Sequence, residues 1–323
     1  MTPSRRRFLR LAGATTALPA LSRFAWAQSY PARPVRLIVT FPAGSAPDII
    51  ARLAGQHLSE RLGQQFVIEN KPGAGGNLAT EYVAKAESDG YTILMPVSTN
   101  AVNVALYRNL NFDFIRDIAP IAGIAKTPFV IVVPPSFPAK TLSEFTAYLK
   151  ANPGKVNMGS AGIGGSPHVC GELFQLMTRT KMVHVPYRGN HMPDLLTGQI
   201  QVFFNPIAQA LPLIREGKLR ALGVTTAQRT AALPDVPAIG EFVTGYDAFG
   251  WYGLGAPAKT PPEIIKTLSD ATNEAFANPM VKERLSQLGV EPMPLTADGF
   301  AKHIAEEVDK WGKVIEAQGI EVN

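Results

Sequence analysis

The sequence predicts an α/β fold made of two lobes. Strand-like and helix-like stretches alternate twice, over 35–95 and again over 155–225, which argues for mostly parallel sheets with helices on their faces. Apparent crossings near Phe129 and Ala248 join the two runs. A length of 323 residues with 46% hydrophobic content suits two domains better than one. On this reading 28–128 and 248–323 build one lobe and 129–247 the other. Two crossing strands link them, and the ligand cleft lies where loops beyond strand ends face each other.

The elements follow in order. Val35 to Thr40 reads as a buried strand, Pro42 to Ala46 as a small-residue loop, and a helix opens at Pro47 and stops at Gly63. Strand Phe66 to Glu69 leads to Gly73–Gly76, which lacks the spacing of a dinucleotide or P-loop motif and reads as a turn into the helix ending near Ala86. Strand Tyr91 to Met95 closes the first alternation. Strand Phe129 to Val133 precedes a helix capped by Thr141 with Glu144 three residues on. Then come strand 155–158, helix 167–178, strand 182–186, helix 192–197, strand 201–204, helix 207–216 and strand 219–225. Strand 248–254 returns, and helices 261–277, 279–288 and 296–318 follow. The last of these is expected to bury Phe300, Ile304, Val308, Trp311 and Ile315.

Charge and cysteine narrow the function. The formal charge is +5, but residues 1–27 hold Arg5, Arg6, Arg7, Arg10 and Arg23 and no acid. Setting those five aside leaves 26 basic against 26 acidic residues. No basic patch interleaved with aromatics remains, so nucleic acid is not an expected partner. Cys170 is the sole cysteine and reads as a small buried residue. Residues 4–10, SRRRFLR, precede an apolar stretch from Leu11 to Leu21 and then Ala25-Trp26-Ala27. That order is a secretory signal peptide, 1–27, cleaved near Ala27, and SRRRFLR resembles a twin-arginine export signal. The expected location is the periplasm.

Two loops share one construction. Gly44-Ser45-Ala46-Pro47-Asp48 and Gly164-Gly165-Ser166-Pro167-His168 each follow a strand, use small residues and place a Pro in the first turn of a helix. Helix N-termini offer free N–H groups and the positive end of a dipole, which suit an anion. Ser166 is expected at the N-cap, its hydroxyl turned to the helix or to a ligand. Both loops can also be read as helix starts and nothing more. Each dipole gives only ~0.3–1 kcal/mol when exposed, whereas micromolar affinity needs about 8 kcal/mol. Hydrogen bonds and apolar burial must then supply the rest.

The chain resembles the tripartite tricarboxylate transporter substrate-binding proteins, the TctC or Bug family, from about Pro34 to the C-terminus. The residues that carry this are Phe41-Pro42-Ala43-Gly44 with Asp48 and Ala51-Arg52, then Glu69 to Asn77 and Asp89-Gly90-Tyr91. Ser160-Ala161-Gly162, His168, Gly171 to Phe174, Val183 to Tyr187, Gly217 to Leu222 and Leu233 to Pro237 complete the set. The resemblance implies a type II periplasmic-binding-protein fold that closes around a small organic carboxylate (a dicarboxylate, tricarboxylate or aromatic acid) and presents it to a membrane permease. It implies ligand contacts from the loops holding Phe41, Ala43, Gly44, Ser45, Ala46 and Asp48, and Ser160, Ala161, Gly164, Gly165, Ser166 and His168. Ser98 and Thr99, at a third strand end, are implied as further contacts. Ser45 stands where the family usually has a second glycine, and Gly165 where a threonine is common. Amino-acid-binding relatives often carry Asp after Phe; here Phe204 is followed by Asn205, which argues for an acid and makes Asn205 a neutral partner.

An enzyme is the competing reading. His57, His168, His184, His191 and His303 form no close metal-ligand pattern, and Gly165-Ser166-Pro167-His168 is not a nucleophile elbow. No catalytic residue, metal or cofactor is therefore expected, and the protein is expected to be a monomeric receptor. A sensory receptor serving a membrane signalling partner would share the fold.

Overall fold

In a computed structural model, residues 30–187 and 189–322 are described. The signal-peptide assignment, 1–27, lies outside the described residues. The elements are β1 (Val35–Val39), α1 (Ala46–Leu62), β2 (Phe66–Asn70), α2 (Asn77–Ala84), β3 (Thr92–Met95), α3 (Ser98–Leu106), α4 (Phe114–Asp117) and β4 (Ile118–Val133). They continue with α5 (Leu142–Ala151), β5 (Asn157–Ser160), α6 (Ser166–Thr178), β6 (Val183–Pro186), α7 (Met192–Thr197), β7 (Val202–Pro206), α8 (Ile207–Arg215) and β8 (Arg220–Val224). Last come β9 (Phe249–Pro257), α9 (Pro262–Ala277), α10 (Pro279–Gln287), β10 (Glu291–Leu295) and α11 (Ala297–Gln318).

The parallel order expected of the first alternation is present. β1 pairs with β2 from Val35↔Phe66 and with β3 from Arg36↔Thr92, both parallel. Val35, Leu37, Ile38 and Val39 have no exposed surface, because helices cover both faces of the strand. Gly63 ends α1 in the left-handed region at φ 72, its N–H donating to Ser59 O. In the second lobe β5 lies parallel between β6 and β7. The strand order is β2-β1-β3-β9-β4-β7-β5-β6, with β8 and β10 also paired to β4.

β4 is the element the sequence half conceals. Only 129–133 read as a strand, yet it begins at Ile118 and runs 16 residues through both lobes. Its first part pairs antiparallel with β9, from Ile118↔Pro257 to Pro128↔Phe249. Its last part pairs with β7 and β8, starting at Phe129↔Pro206 and Val130↔Val224. Pro120, Gly123 and Pro128 make the early part read as a loop; the strand takes up two of them with register shifts at Pro120/Ala122 and Gly123/Ala125. The crossing is tied where Thr225 N donates to Phe129 O and Ala248 N donates to Thr225 O, each at 2.9 Å.

Two other elements escape pattern reading. β10, sequence EPMPL, carries two prolines and pairs on one side only, with β4. α3 buries Ser98, Asn100 and Asn103 beside Ala101, Val102 and Leu106, which blurs its apolar stripe. Asn100 Oδ1 accepts from Val97 N (2.8 Å) and Asn100 Nδ2 donates to Thr80 Oγ1 (2.8 Å), while Asn103 Nδ2 donates to Asn77 Oδ1 (2.8 Å).

In α11, Phe300, Ile304, Trp311 and Ile315 are buried as expected. Val308 is only half-buried, because the fully inward place on that turn belongs to Glu307. Its Oε2 accepts from Trp251 Nε1 (3.1 Å) and Trp311 Nε1 (2.8 Å), and Lys310 pairs with the same carboxylate. The end of α11 reaches the second lobe, where Gln318 Nε2 donates to Glu172 O at 3.0 Å.

Candidate functional site

The first loop is held from beneath by Asp48. Gly44 turns the chain at φ 80, and its N–H donates to Asp48 Oδ2 at 2.9 Å. Arg52 Nε and Nη2 donate to the same carboxylate at 3.0 Å, and Asn70 Nδ2 donates to Oδ1 at 2.9 Å. Burial opposes ionisation of Asp48, but hydrogen bonds from Arg52, Gly44 and Asn70 outweigh it and hold the carboxyl below its ordinary range. Asp48 is 2% exposed and its acceptors are taken, so it braces the loop. Phe41 is half-buried against the first-lobe core, and its carbonyl accepts from Asn70 Nδ2. Ala43, Gly44 and Ala46 are exposed. Ser45 caps α1 at its backbone, while its hydroxyl donates to Pro42 O at 2.6 Å. The first-turn N–H groups of Ala46 and Asp48 have no intrahelical partner and make no other backbone bond.

The second loop repeats the device with a different acceptor. Gly164, at φ 74, donates its N–H to His168 Nδ1 at 3.1 Å, four residues ahead as in the first loop. Accepting at Nδ1 puts the His168 proton on Nε2, which faces Glu172 Oε1 at 3.3 Å. Ser160, fully buried at the end of β5, accepts the Gly162 N–H at 3.1 Å. Ala161 is exposed. The cap of α6 is Gly165 rather than Ser166, because Gly165 carries the extended backbone (φ −63, ψ 151) and the helix begins one residue later. Ser166 is thereby released from capping.

Its hydroxyl meets the other lobe instead. Ser166 Oγ lies 3.0 Å from Ser98 Oγ, at the first turn of α3. Thr99 is half-buried beside it, its hydroxyl 3.5 Å from Gly75 O. Gly164 packs on the same helix: a Cβ there would stand 2.4 Å from Leu106 Cδ2. Elsewhere, a Cβ at Gly289 would stand 2.3 Å from Ala208 Cβ of α8. Asn205 sits inside β7, with no exposed surface and no partner for either amide atom.

Three residues outside the expected set join this region. Thr40 Oγ1, just before the first loop, is buried without a partner. His184 stacks on His168 with ring centroids 3.6 Å apart, and its Nε2 lies 2.5 Å from Ser160 Oγ. Burial, and then the nearby His168, push the His184 pKa down to about 3, so the ring is neutral. His191 stacks on Phe203 at 3.7 Å, with a buried and unpartnered Nε2. Alternation along the strand could have placed His184 beside Ser160. No local signal marks His191, because its place over Phe203 depends on tertiary packing.

The arrangement offers hydrogen-bond donors from two helix starts, hydroxyls and an amide. The guanidinium beside the first loop, Arg52, is spent on Asp48. Such a site suits a small anion held by neutral donors.

Known proteins match this chain over nearly its whole length. A family model described as the tripartite tricarboxylate transporter family receptor matches residues 50–320. Protein BugT of Bordetella pertussis is 33% identical over 320 residues, 97% of this chain and 98% of that one. An R. palustris protein solved with adipate superposes with a TM-score of 0.79 at 33% identity, covering 90% of this chain and 99% of the other. MatC from Rhodopseudomonas palustris, with bound malate, gives 0.75 at 31% identity over 88% and 100%.

Proposed function

The chain belongs to the tripartite tricarboxylate transporter receptor family, and we propose that it captures a small organic carboxylate between its lobes and delivers it to the permease of such a transporter. It is a solute-binding receptor rather than an enzyme, as its family is. The observation that carries the ligand class is the repeated glycine-anchored helix start, Gly44 on Asp48 and Gly164 on His168. One loop stands in each lobe, and Ser98 and Ser166 meet between them.

In this reading the carboxylate takes the free N–H groups of Ala46, Asp48 and Ser166, with Ser45, Ser98, Thr99 and Ser160 at the margins. Phe41, Ala43, Ala161 and Gly165 shape the entrance, while Gly44, Gly164, Asp48 and His168 hold the loops in position. Asn205 receives another part of the ligand. Adipate and malate, found with the two relatives, are both dicarboxylates, which supports a small acid here. The lobes are read as 28–128 with 248–323, and 129–247. Among the described residues no helix is long and apolar enough to cross a membrane. Binding proteins of this family are periplasmic, and export of this chain is assigned to the twin-arginine-type signal within 1–27. The receptor acts as a monomer, and ligand favours the closed state by binding it more tightly than the open one.

The test is a thermal-shift screen of the chain from Gln28 onward against mono-, di- and tricarboxylates, aromatic acids and amino acids. Carboxylates should raise Tm without turnover, and amino acids should do so poorly. Strong selectivity for aspartate or glutamate would overturn the reading of Asn205, and product formed from a stabilising acid would overturn the receptor reading.

A further inference from the structure

Asn205 and His191 occupy one face of β7 near its C-terminal end. Phe204 points to the α6 side, where it packs against Phe174 with ring centroids 6.1 Å apart. Strand alternation therefore places Phe203 and Asn205 together on the opposite face, which α7 and α8 cover through Leu195 and Ile207. β5 has no side chain at Gly159, and Ile200 and the Phe203 ring fill that place: a Cβ on Gly159 would stand 2.4 Å from Ile200 Cδ1 and 2.9 Å from Phe203 Cδ2. His191, on the loop after β6, lies flat over Phe203, with 12° between the rings. His191, at the head of α7, thus puts an imidazole on the face of β7 that carries Asn205.

Three polar atoms on this face lack a partner: Asn205 Oδ1, Asn205 Nδ2 and His191 Nε2. Exchanging the amide oxygen and nitrogen leaves both unpartnered, so amide orientation does not alter the inventory. A buried polar atom without a partner is costly, and in a binding protein a ligand can satisfy it. Building on the carboxylate-receptor reading above, we propose that Asn205 and His191 together read a hydroxyl group, and that the preferred ligands are hydroxycarboxylates. A hydroxyl has one proton to give and two lone pairs to offer. It donates to Asn205 Oδ1 and accepts from Asn205 Nδ2 and from the Nε2–H tautomer of His191, completing all three atoms. A second carboxylate only accepts, and would set its charge against Oδ1. An ammonium only donates, and would meet Nδ2–H and Nε2–H.

The experiment is calorimetric titration of matched pairs: succinate against malate, butyrate against 3-hydroxybutyrate, and benzoate against 4-hydroxybenzoate. A site built around a hydroxyl rejects the analogue lacking it, so in at least one pair the hydroxylated acid should bind about ten- to hundredfold more tightly. Asn205→Leu and His191→Phe, the latter keeping a ring on Phe203, should each bring that ratio toward one. The Tm of the ligand-free variants, which should hold or rise, controls for folding. Equal binding within every pair overturns the proposal, as does a ratio that survives both substitutions. Failure of every acid to bind the unsubstituted protein would instead overturn the carboxylate-receptor reading itself.

Discussion

Ser98 Oγ and Ser166 Oγ stand 3.0 Å apart, one at the head of α3 in the first lobe and the other at the head of α6 in the second. The pair is a polar link between two helix starts, and it joins the lobes where a carboxylate would sit. Removing either hydroxyl weakens this contact between the lobes by about 0.5–1.5 kcal/mol, the net worth of a typical hydrogen bond. Ser98→Ala and Ser166→Ala should therefore each weaken ligand binding by roughly two- to tenfold. A double-mutant cycle should show coupling between them; additive losses would mean that the hydroxyls act separately.

The closeness of Gly164 to α3 leads to a steric test. A side chain there meets Leu106 Cδ2 at 2.4 Å and must also adopt φ 74, so Gly164→Val should block closure and abolish binding. Leu106→Ala in the same chain removes the clash and leaves the backbone strain, about 1–2 kcal/mol for a left-handed L-residue. Partial recovery of affinity in the double variant is the expected outcome. No recovery would assign the whole effect to the backbone.

Asp48 predicts how stability depends on acid. Its carboxyl titrates below its ordinary value of 3.8, so its contribution is present above that pH and is lost as pH falls through the lower, folded value. Asp48→Asn should cost about 1–3 kcal/mol at neutral pH by weakening the bonds from Gly44, Arg52 and Asn70. It should also flatten the denaturation profile below about pH 4. Urea titrations across pH measure both effects.

His184 acts over a higher window. Its pKa falls from 6.5 to about 3 on folding, so the unfolded chain binds a proton between those values that the folded chain refuses. Stability is then full above about pH 6.5 and declines as pH falls toward 3. His184→Gln keeps an amide for Ser160 and cannot charge, so the decline over that window should lessen. NMR titration should find the His184 ring neutral down to about pH 3; a midpoint near 6.5 would contradict the stacked geometry.

Much of the fold is legible because it rests on local signals. Gly63 ends α1, and Thr141 Oγ1 accepts from Glu144 N at 3.2 Å to start α5. The reciprocal half of that cap differs: Glu144 Oε2 accepts from Lys140 N at 2.7 Å, one residue ahead of the capping residue. What escapes reading is whatever depends on another segment. The prolines of β4 look like breaks until β9 and β10 lie alongside, and the asparagines of α3 look like loop residues until Thr80 and Asn77 receive them. The site follows the same rule. The two glycine–proline loops are visible as a repeat, and Glu172, one helical turn beyond His168 on α6, is local as well; Asn70, which braces Asp48, comes from β2 and depends on the sheet. His191 is the extreme case, since its place over Phe203 is set wholly by tertiary folding.

One consequence follows from β4 running unbroken through both sheets. A chain cut near Pro128 would leave two fragments, each with a raw strand edge where the other half of β4 had been anchored. Neither lobe is then a module that evolution or an engineer can exchange whole. A graft that replaces one lobe must carry its share of the strand in register with the other, and separately expressed halves should reassociate rather than persist alone.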